Sequence, residues 1–190
     1  MVLIPLINPD SFIIRKKFNQ LLGKNAYLPK LVFPYVWKKC NIKEENVQEE
    51  CILCKITEPV HPLVSKRYLL CWFSKNMKSY LYSPETGTFY LFGYLDFPEP
   101  VESAILDVEV VCTGLNRGIV YIRDLYHWGG NNLDSLVFEE RKQIMEFLYY
   151  QLRTKELSWT FLACSYFYSI NHALQTQNNN IFYKLYQLNV

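Results

Sequence analysis

"SAILDVEVVC", residues 103–112, sets Asp107 and Glu109 into an otherwise apolar run of Ile105, Leu106, Val108, Val110 and Val111. The β-branched residues predict a strand. Side chains two apart on a strand share a face, so both carboxylates are expected on one side. Two readings of that side fit the residues. The acids line a ligand site, or they sit on a solvent-facing strand edge paired with Lys or Arg.

The neighbouring text supports a sheet. Upstream, "RYLLCWF" and "KSYLYS" read as two strands joined by the polar "SKNM", and "TFYLFGYL" as a third before the Pro-rich break at 98–100. Downstream, "GIVYIRDLY" follows the turn "TGLNRG". A helix is expected to begin near Asp134-Ser135, with Glu139 and Glu140 in its first turns, where the helix dipole favours acids. Phe138, Arg141, Ile144/Met145, Leu148 and Leu152 recur at helical spacing and mark its buried stripe. "WTFLACSYFYSI" and "IFYKLYQL" read as further strands. Strands, helix, strands predict an α+β fold, with mainly antiparallel sheets and flanking helices.

At 190 residues the chain is long enough for one full domain. Residues 1–30, with the basic "RKKFNQLLGK", are expected as an N-terminal arm or short helix, solvated rather than a binding device, leaving 31–190 as the domain. A formal charge of +2 gives no global field toward nucleic acid. Apolar runs are too short to span a bilayer, so no membrane partner is expected. The opening "MVLIPLINPD" is broken by Pro5 and Pro9 and has no basic leader, which predicts no signal peptide. Cys71, Cys112 and Cys164 lie in apolar stretches as small hydrophobes, which suits reduced thiols in the cytoplasm or nucleus.

The stretch 66–152 resembles the nucleotidyltransferase domain shared by mRNA capping enzymes and ATP-dependent ligases. In that family a lysine loop K-x-D-G-x-R precedes a hairpin, a D-G-E strand, an apolar strand ending aromatic-Asp, and a helix opening P-F-x-E-R. Here "SKRYLLCWFSKNMKSYLYS" matches the arginine end of the loop and the hairpin. "ILDVEVV" stands where D-G-E stands, and "IVYIRDLYHWGGNNLDSLVFEERKQIMEFL" runs through the later features in order. The resemblance implies that Asp107 and Glu109 line a nucleotide site, the glutamate contacting ribose or a metal-bound water.

Departures from the family are as informative. Counting back from Arg67, the nucleophilic lysine falls at Pro62 and the Asp-Gly at Val64-Ser65. Proline has no chemistry to replace an attacking amine. Lys66 neighbours Arg67 and so belongs to the opposite strand face. The D-G-E glycine is Val108, and Arg123 stands before Asp124 in place of the aromatic. The family's E-G motif has no counterpart in "LACSYFYSI", and its final K-x-K is at most Lys184-Leu185-Tyr186. The implied domain is therefore degenerate. It is similar to the non-catalytic, cap-binding domain of snurportin, with "PLVSKR" before the first strand, "ILD" at 105–107, "YIRDL" at 121–125 and a C-terminal "IFYKLYQL".

A cap or purine site needs stacking surfaces, a cation for phosphate and acceptors for purine N–H groups. Arg67 would grip phosphate with a bidentate fork, and Arg123 would stack on a base. Trp72, Tyr121, Trp128 and Tyr183 are the aromatic candidates, Lys184 a further cation, and Asp107 and Glu109 the acceptors. Each aromatic has core packing as its alternative. No catalytic residue is expected, and none of the spacing supplies His127 with a nucleophile partner. No cofactor is expected either. A structural zinc on Cys40, Cys51, Cys54 and His61 is the alternative, weakened by the missing second C-x-x-C.

Three functions follow. The first is a non-catalytic module that binds capped RNA or a guanine nucleotide. The second is a capping guanylyltransferase with a displaced nucleophile. The third is a scaffold with a relic pocket that serves a protein partner.

Overall fold

The computed structural model describes residues 10–22, 36–38, 51–56, 66–76, 78–96, 101–114, 117–133, 135–136, 138–154, 158–163, 165–167 and 182–187. The chain forms two compact units. One comprises Met1–Leu28 with Leu63–Ala163, the other Pro29–Pro62 with Cys164–Val190.

Among its described residues the first unit holds two α-helices, α1 (Asp10–Leu22) and α2 (Phe138–Gln151). Its strands are β3 (Lys66–Phe73), β4 (Lys78–Ser83), β5 (Thr88–Asp96), β6 (Ser103–Gly114), β7 (Arg117–Trp128), β8 (Asn131–Asn132), β9 (Arg153–Thr154) and β10 (Ser158–Ala163). They form an eight-stranded sheet in the order β10-β7-β6-β3-β4-β5-β9, with β8 paired to β7. Every pairing is antiparallel except β10 with β7, which run parallel. The second unit holds β1 (Val36–Lys38), β2 (Cys51–Ile56), β11 (Ser165–Phe167) and β12 (Phe182–Gln187), paired antiparallel in the order β1-β12-β2-β11. The protein is thus α+β, with a mixed and mostly antiparallel open sheet.

Alternation along the strands divides the large sheet into two faces. Tyr68, Leu70 and Trp72 of β3, Ala104, Leu106, Val108 and Val110 of β6, and Val120 and Ile122 of β7 pack on one face. Met145 and Leu148 of α2, with Leu152 just past its end, close that core. Of the helical stripe expected from the sequence, Met145, Leu148 and Leu152 are buried and Arg141 and Ile144 partly so, although α2 starts at Phe138 rather than at the Asp134-Ser135 pair. Asp134 lies outside the described residues, and Ser135 is in the turn before the helix.

The opposite face carries Leu69, Asp107 and Tyr82, joined by register as Tyr82↔Leu69↔Asp107. Helix α1 lies on this side. Ile14, Phe18 and Leu22, one turn apart, are its buried residues. Phe18 packs on Tyr82 and Phe89 with ring centroids 4.9 and 5.4 Å away. Arg15 donates to the Gly87 carbonyl at 2.5 Å. Of the two forms expected for the N-terminal segment, residues 10–22 take the helix, docked by Ile14, Phe18 and Leu22, every fourth residue being a large apolar one. Gly87, at φ +65, is left-handed and closes the tight turn into β5, where its N–H donates to the Ser83 carbonyl at 2.8 Å.

The expected single strand "WTFLACSYFYSI" is divided: β10 joins the large sheet and β11 the small one. Among the described residues, no helix is long and apolar enough to cross a membrane.

Candidate functional site

Strands β3, β6 and β7 are neighbours in the middle of the large sheet, and their charges meet on the face that α1 shares. Arg67 of β3 stands directly opposite Glu109 of β6, which stands opposite Tyr121 of β7. The ion pairs run diagonally. Arg67 forks onto Asp107, its Nε donating to Oδ1 at 2.8 Å and its Nη2 to Oδ2. Arg123 Nη2 pairs with Glu109 Oε2. Tyr126 adds a hydroxyl donor to Asp107 Oδ2 at 3.3 Å.

All four charged side chains are buried: Asp107 and Arg123 are fully so, Glu109 is 1% exposed and Arg67 8%. Of the two readings of the acids, the solvent-facing edge is excluded, because β6 is an interior strand with a neighbour on each side. Pairing with arginine is what occurs. Burial of a carboxylate without a cation would be prohibitive, and each acid here has one within contact.

A register shift on β6 between Asp107 and Val108 places Asp107 opposite Asp124 and Val108 opposite Ile122. Arg123 is the extra residue of that bulge, and a bulge re-aims the side chains it carries. Asp124 turns to the helix: Arg141 of α2 donates to its two oxygens at 2.8 and 3.1 Å, and the Leu125 amide donates at 2.7 Å. Arg141 also donates to the Leu136 carbonyl at 2.6 Å. Burial raises the Asp124 pKa above the usual 3.8, against the pull of Arg141 and the Leu125 amide, while the Asp107 charge adds to the rise.

Of the remaining sequence candidates, Tyr121 is half-buried on the strand position facing Glu109. Trp72 belongs to the core on the other side of the sheet, where its indole N–H donates to the Leu95 carbonyl at 3.2 Å. Trp128 packs against that same core. Neither tryptophan joins the ionic face. Tyr183 and Lys184 lie on β12 of the small sheet, Tyr183 opposite Lys55 and Lys184 opposite Cys54, and their side chains are outside what is described. Cys51 and Cys54 are on β2, whereas Cys40, His61 and Pro62 fall outside the described residues.

Two partnerships had no signal in sequence spacing. Tyr126 reaches Asp107 from β7, and Ser103 Oγ lies 3.1 Å from His127 Nε2, 24 residues away. His127 is 2% exposed beneath the end of α1. Burial lowers its pKa below 6.5, while the Leu21 backbone pulls the other way. Asn132 donates to the Leu22 carbonyl at 3.4 Å beside it.

Fold and site together define a class: an α+β protein whose central strands carry a buried, internally paired ionic face. No known protein family matches the chain. A search of curated proteins finds no match either.

Proposed function

We propose that this chain is a non-catalytic binding module for capped RNA or a guanine nucleotide, built on a degenerate nucleotidyltransferase-like domain and working in the cytoplasm or nucleus. The observation that supports it is the gathering of Arg67, Asp107, Glu109 and Arg123 on one face of three adjacent strands. Asp107 and Glu109 are the acids that the resemblance assigns to a nucleotide site, and Arg67 and Arg123 are cations of the kind a cap or purine site needs. With Pro62 at the position of the family's lysine, the chain lacks the amine that would attack an α-phosphate. Incubation with radiolabelled GTP and a divalent metal is expected to leave no covalent band. A band would replace the binding module with a guanylyltransferase.

Thermal unfolding with GTP, an m7G-cap analogue and a trimethylguanosine-cap analogue tests the binding itself. A ligand of the folded state stabilises by mass action, by about 2.7 kcal/mol at a hundred times its Kd. The expected result is a rise in Tm with one of the three and not the others. No rise with any of them, up to millimolar concentration, overturns the reading.

One observation favours a second reading, a scaffold that serves a protein partner. The four charges neutralise one another in pairs, and a face already compensated has less need of an ionic ligand. That scaffold predicts no shift with any nucleotide.

A further inference from the structure

The two helices of the first unit present unlike outer faces. On α1, Phe12 (68% exposed) and Ile13 (52%) stand out beside the exposed Lys16, while Arg15 turns inward to the Gly87 carbonyl and the Phe89 ring. On α2, Phe147 (57%) and Tyr150 (69%) stand out beside the exposed Glu139, Glu140 and Glu146, the last lying 4.0 Å from Lys142 of the same helix. Large aromatic and aliphatic side chains at such exposure, grouped on one helix, mark contact surfaces more often than chance exposure does. The helices have 13 and 14 residues, so both are about 20 Å long and their faces match in extent. One face is apolar with a lysine, the other apolar with more acids than cations.

We propose that the outer face of α1 docks on the outer face of α2 of a second copy of this chain. Phe12 and Ile13 would pack against Phe147 and Tyr150, with Lys16 toward Glu139 and Glu140. Ridges-into-grooves packing accommodates two such helices side by side. Charge complementarity selects the pairing: α1 against α1 sets Lys16 on Lys16, and α2 against α2 sets acids on acids.

The two helices belong to opposite faces of the same sheet, α2 closing the core around Leu70 and Leu106 and α1 packing on Tyr82 and Phe89. An interface between unlike surfaces is heterologous, so each bound copy offers a further open face. Assembly then continues past the dimer, or closes into a ring. This association does not depend on nucleotide binding, and its failure would leave that reading as it stands.

Sedimentation equilibrium of the full chain over a range of concentrations is the test. The expected average mass rises beyond two copies and falls when salt is raised to 1 M, where screening acts within about 3 Å. Ile13→Asp and Phe147→Asp, both at exposed positions, are each expected to give a monomer with unchanged circular dichroism and Tm. Mixed in equal amounts, they are expected to form a dimer and nothing larger, since each retains the one face the other lacks. A wild-type chain that stays monomeric throughout overturns the proposal. So does self-association of either variant alone, or a mixture that remains monomeric.

Discussion

The carboxylate of Glu109 meets the guanidinium of Arg123 across the β6–β7 pair, and neither side chain is more than 1% exposed. Attraction between such charges is set against the loss of their hydration, so the pair adds little net stability, yet removing one partner strands the other. Arg123→Met is therefore expected to destabilise the protein by about 3–5 kcal/mol. Glu109→Leu combined with Arg123→Met is expected to recover most of that loss. Urea unfolding of the two single variants and the double variant gives the coupling. A double variant no more stable than Arg123→Met would show that the pair is not the source of the cost.

The contact of Arg141 with Asp124 ties α2 to the end of β7. Asp124 has a raised pKa in the folded chain, so the folded state holds its proton more tightly than the unfolded one. The stability linked to that proton is present below about 3.8 and is lost as pH rises through the folded value. Arg141→Met removes the cation that limits the rise. The variant is expected to lose about 3 kcal/mol at pH 7, and less at pH 5, where more of Asp124 is neutral. A loss independent of pH would assign Arg141 a packing role through its stem instead.

Much of the ionic face was legible in the sequence because it follows from parity. Asp107 and Glu109 are two apart and were expected on one side of their strand; Tyr121 and Arg123, also two apart, obey the same rule. The same rule separates Trp72 from Arg67, an odd five residues away, and the structure places that indole in the core behind the sheet. Strand neighbours were not legible, since they come from pairings between distant segments. Nothing local says that β6 lies between β3 and β7, and hence that its acids are buried. The bulge that sets Arg123 apart, and the partnership of Ser103 with His127, arise from the same long-range register. The break between β10 and β11 was hidden because "WTFLACSYFYSI" is apolar throughout, with no turn residue to mark where one sheet is left for another.

His127 is the residue whose titration should show in stability. Its folded pKa lies below 6.5, so between the two values the unfolded chain binds more protons than the folded one. Stability is therefore expected to fall as pH drops from 6.5 and to level off below the folded value. His127→Gln keeps a polar atom near Ser103 without that titration. The stability advantage of wild type over this variant, measured by urea unfolding from pH 7.5 to 5, should shrink with acidification. A difference that is constant across the range would mean that protonation of His127 does not differ between the two states.

Gly118 sits where β6 and β10 approach β7 closely. A Cβ at this position would lie 2.3 Å from the Val111 carbonyl oxygen and 2.5 Å from Cζ3 of Trp159. Trp159 arrives on β10, opposite Gly118 in the parallel pair, and its ring stacks at 5.0 Å on Phe92 within the core. The glycine is thus required by space at the seam where the one parallel strand joins. Gly118→Ala is expected to cost about 1–3 kcal/mol, the usual range for overpacking a filled core. The ring and the backbone oxygen can be told apart. Trp159→Leu removes the aromatic contact and leaves Val111 in place, so Gly118→Ala should cost less in that background than in wild type. An equal cost in both would put the obstruction on the backbone of β6, and no cost in either would show that β7 and β10 separate more easily than their register suggests.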